Sequence, residues 1–200
     1  GTTRGDSGFG NLVSFGGASV AENAYFVNGL NITNFRTSLG SSDVPFEMYE
    51  NFEVKTGGYS AEFGRSTGGV INAVTKSGSN EWEYGANVYI KPDALWSDSP
   101  NVADPREGAT RPYVYNGGEK LDRYEGNIYL SGPLIEDTLF FYVLYNPRNI
   151  EYETVGGASM TKGTQDDAFW GTKIDWNITD DHILELTAFS DERTTETRFI

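Results

Sequence analysis

Residues 82–91 read Trp82-Glu83-Tyr84-Gly85-Ala86-Asn87-Val88-Tyr89-Ile90-Lys91, and this pattern decides the fold class of the longer part of the chain. Apolar side chains occupy every second position, at Trp82, Tyr84, Ala86, Val88 and Ile90. The positions between them include the polar residues Glu83, Asn87 and Lys91. A period of two with one apolar face predicts a β-strand whose two sides meet different surroundings.

Four further segments continue the pattern downstream. Residues 124–131, 168–177 and 184–188 again alternate apolar and polar side chains. Leu139 to Tyr145 is a continuous apolar run, which predicts a strand without separating its two faces. We therefore expect about five antiparallel strands between residues 81 and 200.

The connections between these strands alternate between long and short. Residues 92–122 and 146–167 form long polar connections, whereas residues 132–137 and 178–182 form short turns. In outer-membrane β-barrels, short turns face the periplasm and long loops face the outside. The alternation favours a membrane barrel with extracellular loops near 92–122 and 146–167.

Three tryptophans agree with that interpretation. Trp82 begins the first strand and Trp176 ends the fourth, so both lie at the end with the short turns, while Trp170 lies near the other end. Tryptophan is enriched at both membrane interfaces, where it forms an aromatic girdle. A soluble β-sandwich, with these aromatic residues in its core, remains open from this pattern alone.

Composition excludes several classes of function. The chain has 200 residues with 15 Lys and Arg, 29 Asp and Glu, and no Cys. A net charge of −14 argues against nucleic-acid binding, which needs basic residues to replace phosphate counterions. The longest apolar run is too short for a membrane helix. Five strands alone would leave two unpaired edges in hydrocarbon, so we expect a barrel to be completed by residues outside these 200.

Residues 1–80 have a different character and hold 14 of the 24 glycines. Ser42 or Asp43 can cap a short helix that runs to Glu50. Strands are predicted at 52–56 and 70–75, and residues 25–32 predict a strand pair around an Asn-Gly turn. The sequence therefore predicts a compact α+β unit that ends near Gly78 to Asn80, where the composition changes.

The run from Glu53 to Asn80 resembles the C-terminal part of the plug domain of TonB-dependent outer-membrane receptors. Its segment Lys55-Thr-Gly-Gly-Tyr-Ser-Ala-Glu-Phe-Gly-Arg-Ser-Thr-Gly-Gly69 is similar to the Oar-like branch of that family. Residues 22–31 also resemble that branch, although Asn28 stands where Asp is common, and residues 131–141 and 175–180 resemble its first barrel hairpins. The resemblance implies a transmembrane β-barrel with an N-terminal α+β plug domain, with the plug over 1–80 and the first barrel strands over 81–200.

The resemblance also implies a function and its partners. A plug that gates a large β-barrel would admit a scarce or large ligand across the bacterial outer membrane. The TonB-ExbB-ExbD complex would supply energy through a segment expected to lie outside this chain, and lipid, the unknown ligand and other surface proteins complete the expected partners. A non-transporting outer-membrane protein for surface binding or assembly is the alternative. No enzyme activity, cofactor or metal site is expected.

Two sets of plug residues follow from the resemblance. Glu62 and Arg65 are expected to join the charged contacts between plug and barrel, the alternative being a solvated pair that contributes little. A structural role is expected for the remaining motif residues: Glu53, Lys55, Gly57, Gly58, Gly64, Gly68, Gly69 and Asn72. A phosphate-binding loop is not expected, because no Lys-Ser or Lys-Thr follows these glycines at the required spacing.

Overall fold

The computed structural model of the chain describes residues 15, 19–33, 44–58, 66, 68–97, 100–103, 105–106, 108, 119–156, 159–192, 194 and 196–199. These residues form two β-sheets and three short 3-10 turns, at Val20–Glu22, Phe46–Met48 and Asp93–Leu95. In this described part, no helix is long and apolar enough to cross a membrane.

The small sheet comes from the glycine-rich part of the chain. Its strands are β1 (Ala24–Val27), β2 (Leu30–Asn31), β3 (Tyr49–Lys55) and β4 (Val70–Thr75), in the order β2-β1-β4-β3. Strands β1 and β4 run parallel, and the other two pairs are antiparallel. Ala24, Phe26 and Val70 form its buried core.

Local sequence explains most of this sheet. The predicted strand pair around the Asn-Gly turn is confirmed, with φ at 47° for Asn28 and 78° for Gly29, the left-handed values that tight hairpins require. The strands predicted at 52–56 and 70–75 are confirmed as β3 and β4.

The predicted helix up to Glu50 is wrong over the described residues. Only the 3-10 turn Phe46–Met48 forms, and the backbone becomes extended at Tyr49. Tyr49 pairs with Thr75 in the sheet, so strand pairing overrides the local capping signal. Residues 42 and 43 lie outside the described residues.

The large sheet is antiparallel throughout. Its eight strands are β5 (Glu83–Lys91), β6 (Lys120–Ile135), β7 (Leu139–Asn146), β8 (Arg148–Gly156), β9 (Ser159–Gln165), β10 (Phe169–Thr179), β11 (His182–Ser190) and β12 (Glu196–Phe199). Strands β7 and β8 are separated by Pro147 alone, and both pair with β6. Strand β9 pairs with β8, and β10 pairs with β7. On the other side, β12 pairs with β9, and β11 pairs with β10. Strands β7 and β8 form one continuous run, as do β9 and β10, and β11 and β12. Together with β5 and β6 they make five consecutive antiparallel runs, as predicted.

Buried Arg148 lies at the interruption between β7 and β8 and contacts the neighbouring runs. Its Nε donates to the carbonyl of Asp167 at 2.6 Å, and its Nη2 lies 3.1 Å from Asp191 Oδ1. The guanidinium therefore links the start of β8 to the connection between β9 and β10 and to the residue after β11.

Two predicted connections differ from the structure. The short turn predicted at 132–137 is wrong at its start, because β6 continues through a register shift at Pro133 to Ile135. Most of the long connection predicted at 146–167 forms the β8–β9 hairpin. Residues 148–153 of this hairpin pair with the upper half of β6, from Lys120 to Glu125. The connection predicted over 92–122 ends at β6, which begins at Lys120, and 109–118 lie outside the described residues.

The two faces of the large sheet are opposite in character. The apolar face carries large side chains that are 37% to 80% exposed: Tyr84, Val88, Ile90, Ile128, Leu130, Val143, Tyr145, Trp170, Trp176, Leu184 and Leu186. The other side, here called the packed face, carries buried polar side chains at Asn127, Ser131, Lys173 and Asp175. It also carries Tyr142, Leu144 and Phe169, which are buried against Met48 of the Phe46–Met48 turn. A soluble sandwich would bury its apolar side chains between the sheets, so the observed arrangement favours a membrane wall.

Candidate functional site

The Phe46–Met48 turn, here called the knob, makes an apolar contact between the sheets. Met48 is fully buried in a cluster with Tyr142, Leu144 and Phe169. A Cβ atom on Gly171 would lie 2.9 Å from Met48 Sδ, so the knob fits directly against the backbone of β10. Burying one such side chain contributes about 1.5–3 kcal/mol, which makes the knob a substantial anchor.

Glu47 adds three hydrogen bonds to the same contact. Its backbone carbonyl accepts from the hydroxyl of Tyr142 at 2.6 Å. Its Oε1 accepts from Asn87 Nδ2 at 2.9 Å and from the hydroxyl of Tyr89 at 2.8 Å. Hydrogen bonds to an ionised carboxylate are stronger than neutral ones, so Glu47 ties the knob to two neighbouring positions of β5.

A row of asparagines, here called the amide ladder, continues from Glu47 across the packed face. Asn127 Nδ2 donates to Asn87 Oδ1 at 2.9 Å, and Asn146 Nδ2 donates to Asn127 Oδ1 at 2.9 Å. Asn146 Nδ2 also donates to the carbonyl of Gly126 at 2.7 Å. Asn127 and Asn146 are buried, and Asn87 and Asn127 are direct cross-strand partners. The amide ladder thus connects β5, β6 and β7 and ends at the knob.

Residues 76–82, here called the linker, run from the small sheet to β5 along the packed face. Lys76 N donates to the carbonyl of Met48 at 2.9 Å, and Lys173 Nζ donates to Ser77 Oγ at 2.8 Å. A Cβ atom on Gly78 would lie 2.8 Å from Phe141 N and 2.9 Å from Gly132 O, so the linker touches the sheet's backbone. The linker is therefore held along its length.

A reciprocal pair holds the far end of the linker. Asn80 Nδ2 donates to Asp137 Oδ1 at 2.7 Å, and Asp137 N donates to Asn80 Oδ1 at 2.9 Å. Asp137 lies in the tight turn between β6 and β7 with φ at 59°, a conformation that Asp tolerates better than most residues. The pair fixes the linker to the end of the sheet that carries the short turns.

Lys173 is a buried cation beneath the linker. Lys173 and Asp175 are 3% and 9% exposed, and their charged groups lie 3.3 Å apart. Glu185 lies farther away, at 3.9 Å, and is mostly exposed. Neither Asp175 oxygen accepts a hydrogen bond within the described part of the chain, so the ion pair is its main compensation. Removing either charge would leave the other buried and unpaired.

Asn28 makes a separate contact at the tip of the small sheet. Its Nδ2 donates to Thr75 Oγ1 at 2.7 Å and to Thr187 Oγ1 on β11 at 2.8 Å. Its Oδ1 accepts from Thr75 N at 2.9 Å. One amide therefore fixes a positive-φ turn and links it to the large sheet.

The residues predicted from the plug motif do not take part in the contacts described above, as far as the described residues show. Glu62, Arg65 and Gly64 lie outside the described residues. Glu53 and Lys55 are neighbours on β3, 3.4 Å apart. The Asn72 Oδ1 atom is buried on β4 and accepts no hydrogen bond from the residues that the structure describes.

The described motif glycines fall into two kinds. Gly57 and Gly58 have open space around them, with φ at +67° for Gly58. Gly68 and Gly69 have no room for a side chain, since a Cβ on Gly68 would lie 2.6 Å from Asn23 Oδ1 and one on Gly69 would overlap the ring of Phe15. Contact with Asn23 and the Glu22 backbone therefore explains Gly68, contact with the Phe15 ring explains Gly69, and positive φ explains Gly58.

The three tryptophans of the predicted girdle are all exposed. Trp176 pairs with Leu139 and Leu184 near the short turns, and Trp82 contacts Phe141 edge-on at the same end. Trp170 pairs with Tyr145 toward the other end of the sheet. Their positions fit two aromatic bands, and their role in a membrane stays a prediction.

Several residues at the contact are absent from the sequence predictions. Glu47, Met48, Ser77 and Lys173 carry no motif, because each meets a partner distant in the chain. One signal was present for the amide ladder. Asn87 and Asn127 occupy polar positions of neighbouring strands, and side-chain amides at inward positions can pair across a sheet.

Comparisons with known proteins agree with this architecture. A family model described as "TonB-dependent Receptor Plug Domain" matches residues 1–70. The TonB-dependent transporter Oar of Myxococcus xanthus is 35% identical over 142 residues, which is 70% of this chain and 13% of that protein. The crystal structure of the siderophore receptor PirA from Acinetobacter baumannii matches with a TM-score of 0.53 at 20% identity, over 90% of this chain and 24% of that chain. The PirA match concerns the fold alone.

The chain spans a small share of both relatives, 13% of Oar and 24% of PirA. The small sheet packs on one face of the antiparallel sheet, as expected for a plug against the first strands of a barrel. The predicted fold class is therefore confirmed, and the chain belongs to the TonB-dependent receptor family.

Proposed function

We propose that this protein imports a scarce or large ligand across the bacterial outer membrane, with the plug closing a large β-barrel until the TonB-ExbB-ExbD complex supplies energy. Receptors of this family are outer-membrane transport proteins, which supports the proposal in general terms. The observation that carries it is the opposed character of the two faces of the large sheet. Exposed apolar side chains suit lipid, and the polar packed face suits a lumen that holds a plug.

The nature of the plug contact also suits a gate. Outside the apolar cluster around Met48, the contact among the described residues relies on hydrogen bonds, among them those of Glu47, Ser77 and Asn28. Each such hydrogen bond contributes about 0.5–1.5 kcal/mol net, since water replaces it when the contact opens. A plug held in this way is secure at rest and can be released by a modest input of energy.

The domain limits follow from the same contact. We place the plug at 1–80 and the barrel strands at 81–200, because β4 ends at Thr75 and β5 begins at Glu83. The connection at 92–122 and the β8–β9 hairpin extend from the end of the sheet opposite the short turns at 136–138 and 180–181. Both are therefore assigned to the extracellular side, where they can contact the ligand.

Charge on the apolar face tests the membrane assignment. Leu186→Arg places a cation on an exposed apolar position of β11, and we expect it to cost about 2–4 kcal/mol near the bilayer midplane. Leu186→Met is the matched control, since it keeps the length without the charge. The measurement is the fraction of full-length protein that runs as the folded, heat-modifiable form. Equal fractions for the two variants would mean that this face does not meet lipid.

Glu62 and Arg65 are proposed as further charged contacts between plug and barrel, on the strength of the family resemblance. Arg65→Gln in the full-length protein would be measured for leakage of vancomycin into cells and for energised uptake. An increase in leakage supports the contact. No change in either quantity would contradict it.

Transport itself is tested by uptake with and without a functional TonB system. Cells that produce the full-length protein would receive radiolabelled ferric siderophores and peptides, because PirA is a siderophore receptor and its ligand class is a reasonable first panel. Accumulation of one compound that disappears without TonB supports transport. Binding that is equal in both strains would favour the alternative, a protein for surface binding or assembly. Recovery in the soluble fraction would contradict both.

A further inference from the structure

We infer that the plug residue Glu47 matches the direction of the amide ladder in the barrel wall, and that this match holds the plug closed. Asn87, Asn127 and Asn146 are then positioning residues, of which Asn87 alone donates to the Glu47 carboxylate among the three. The inference deepens the proposed function. It rests on that function, because it takes a closed plug as the resting state of a transporter.

The direction follows from the chemistry of the two side-chain types. An ionised carboxylate only accepts hydrogen bonds, whereas an amide has one accepting and one donating end. Asn87 must therefore turn Nδ2 toward Glu47, which leaves its Oδ1 to accept from Asn127. Asn127 is fixed in the same sense, because its Oδ1 accepts from Asn146.

The far end of the amide ladder has no freedom to reverse on its own. Asn146 uses Nδ2 for both Asn127 Oδ1 and the carbonyl of Gly126, and a carbonyl likewise only accepts. A reversed ladder would bring Asn87 Oδ1 against Glu47 Oε1, two acceptors without a proton between them. Asn127 and Asn146 are buried, so water cannot relieve such a mismatch cheaply.

Asn127→Asp tests the inference one residue away from the plug. The new carboxylate can still accept from Asn146 but cannot donate to Asn87, so Asn87 is expected to reverse and to face Glu47 with its oxygen. The loss of a buried hydrogen bond and the new repulsion should raise the open probability of the purified full-length protein in planar bilayers about tenfold. Asn and Asp have nearly the same size, so packing is preserved.

A second substitution should reverse this effect. The amide that Glu47→Gln introduces can donate through its nitrogen, and in the reversed ladder it can reach both Asn87 Oδ1 and the oxygen of Tyr89. The double variant Glu47→Gln with Asn127→Asp is expected to return to within about threefold of the wild-type open probability. Glu47→Gln alone keeps an acceptor for Asn87 and Tyr89, so it should raise the open probability only about threefold.

Rescue is the result that a merely structural role would not give. A double variant as open as Asn127→Asp, or more open, would overturn the inference, as would an Asn127→Asp protein that stays closed. If Asn127→Asp fails to fold, the heat-modifiable form is measured instead, and Glu47→Gln must restore it in that background. Bilayer conductance needs no TonB, so the two proposals can fail separately. Rescue without TonB-dependent uptake would refute the proposed function alone. TonB-dependent uptake without rescue would refute the role of the amide ladder alone.

Discussion

Gly78→Ala is expected to detach the linker from the barrel wall and to destabilise the closed plug by about 3 kcal/mol or more. The added methyl group would overlap the backbone of Phe141 and Gly132, which cannot move aside by changing a rotamer. Strain of about 1–3 kcal/mol is usual for overpacking, and a displaced linker also loses neighbouring hydrogen bonds at about 1 kcal/mol each. The bonds at risk are those of Lys76, Ser77 and Asn80.

Gly57→Ala is the matched control for Gly78→Ala. Gly57 has no neighbouring heavy atom within 4 Å of an added Cβ among the described residues, and its φ lies outside the left-handed region. The two variants would be compared in full-length protein by the temperature at which the folded gel form disappears and by vancomycin leakage into cells. Gly57→Ala should match the wild type in both. If Gly78→Ala also matches the wild type, the linker does not rest on the wall.

The strand positions were predictable because one physical requirement repeats along the chain. A strand with one apolar and one polar face shows a period of two, and residues 82–91 and 168–177 display it fully. The structure places the apolar members on the exposed side, as at Val88 and Leu186. The β8–β9 hairpin carries only a short form of this signal, because Ile150 and Tyr152 alternate with Glu151 and Glu153 over a few residues.

The plug contact was not predictable because its pairs are distant in the chain. Glu47 and Asn87 are 40 residues apart, and Ser77 and Lys173 are 96 apart. No local periodicity relates such residues, and Lys173 follows the same alternation as any polar strand residue. The knob was misread as part of a helix, because the capping signal near Pro45 is local whereas the pairing of Tyr49 with Thr75 is not.

Lys173→Met is expected to cause the largest loss among single side-chain changes, about 3–5 kcal/mol, because it leaves a buried carboxylate without its cation. Met keeps the length of the apolar stem, so the change removes the charge and the hydrogen bond to Ser77 with little loss of packing. Asp175 is the residue left uncompensated, since its oxygens accept no hydrogen bond within the described residues. The loss would be measured on full-length protein as the shift in urea concentration that abolishes the folded gel form.

Two companion variants separate the charge from the hydrogen bond. Ser77→Ala removes only the hydrogen bond, so it should cost about 1 kcal/mol. The double variant Lys173→Met with Asp175→Leu replaces both charges by apolar groups, and it should recover most of the loss, because buried ion pairs can often be replaced at little cost. If Lys173→Met costs no more than Ser77→Ala, or the double variant recovers nothing, burial of an unpaired Asp175 is not the source of the instability. With recovery, Lys173 is best understood as the cation that allows Asp175 to be buried beneath the linker.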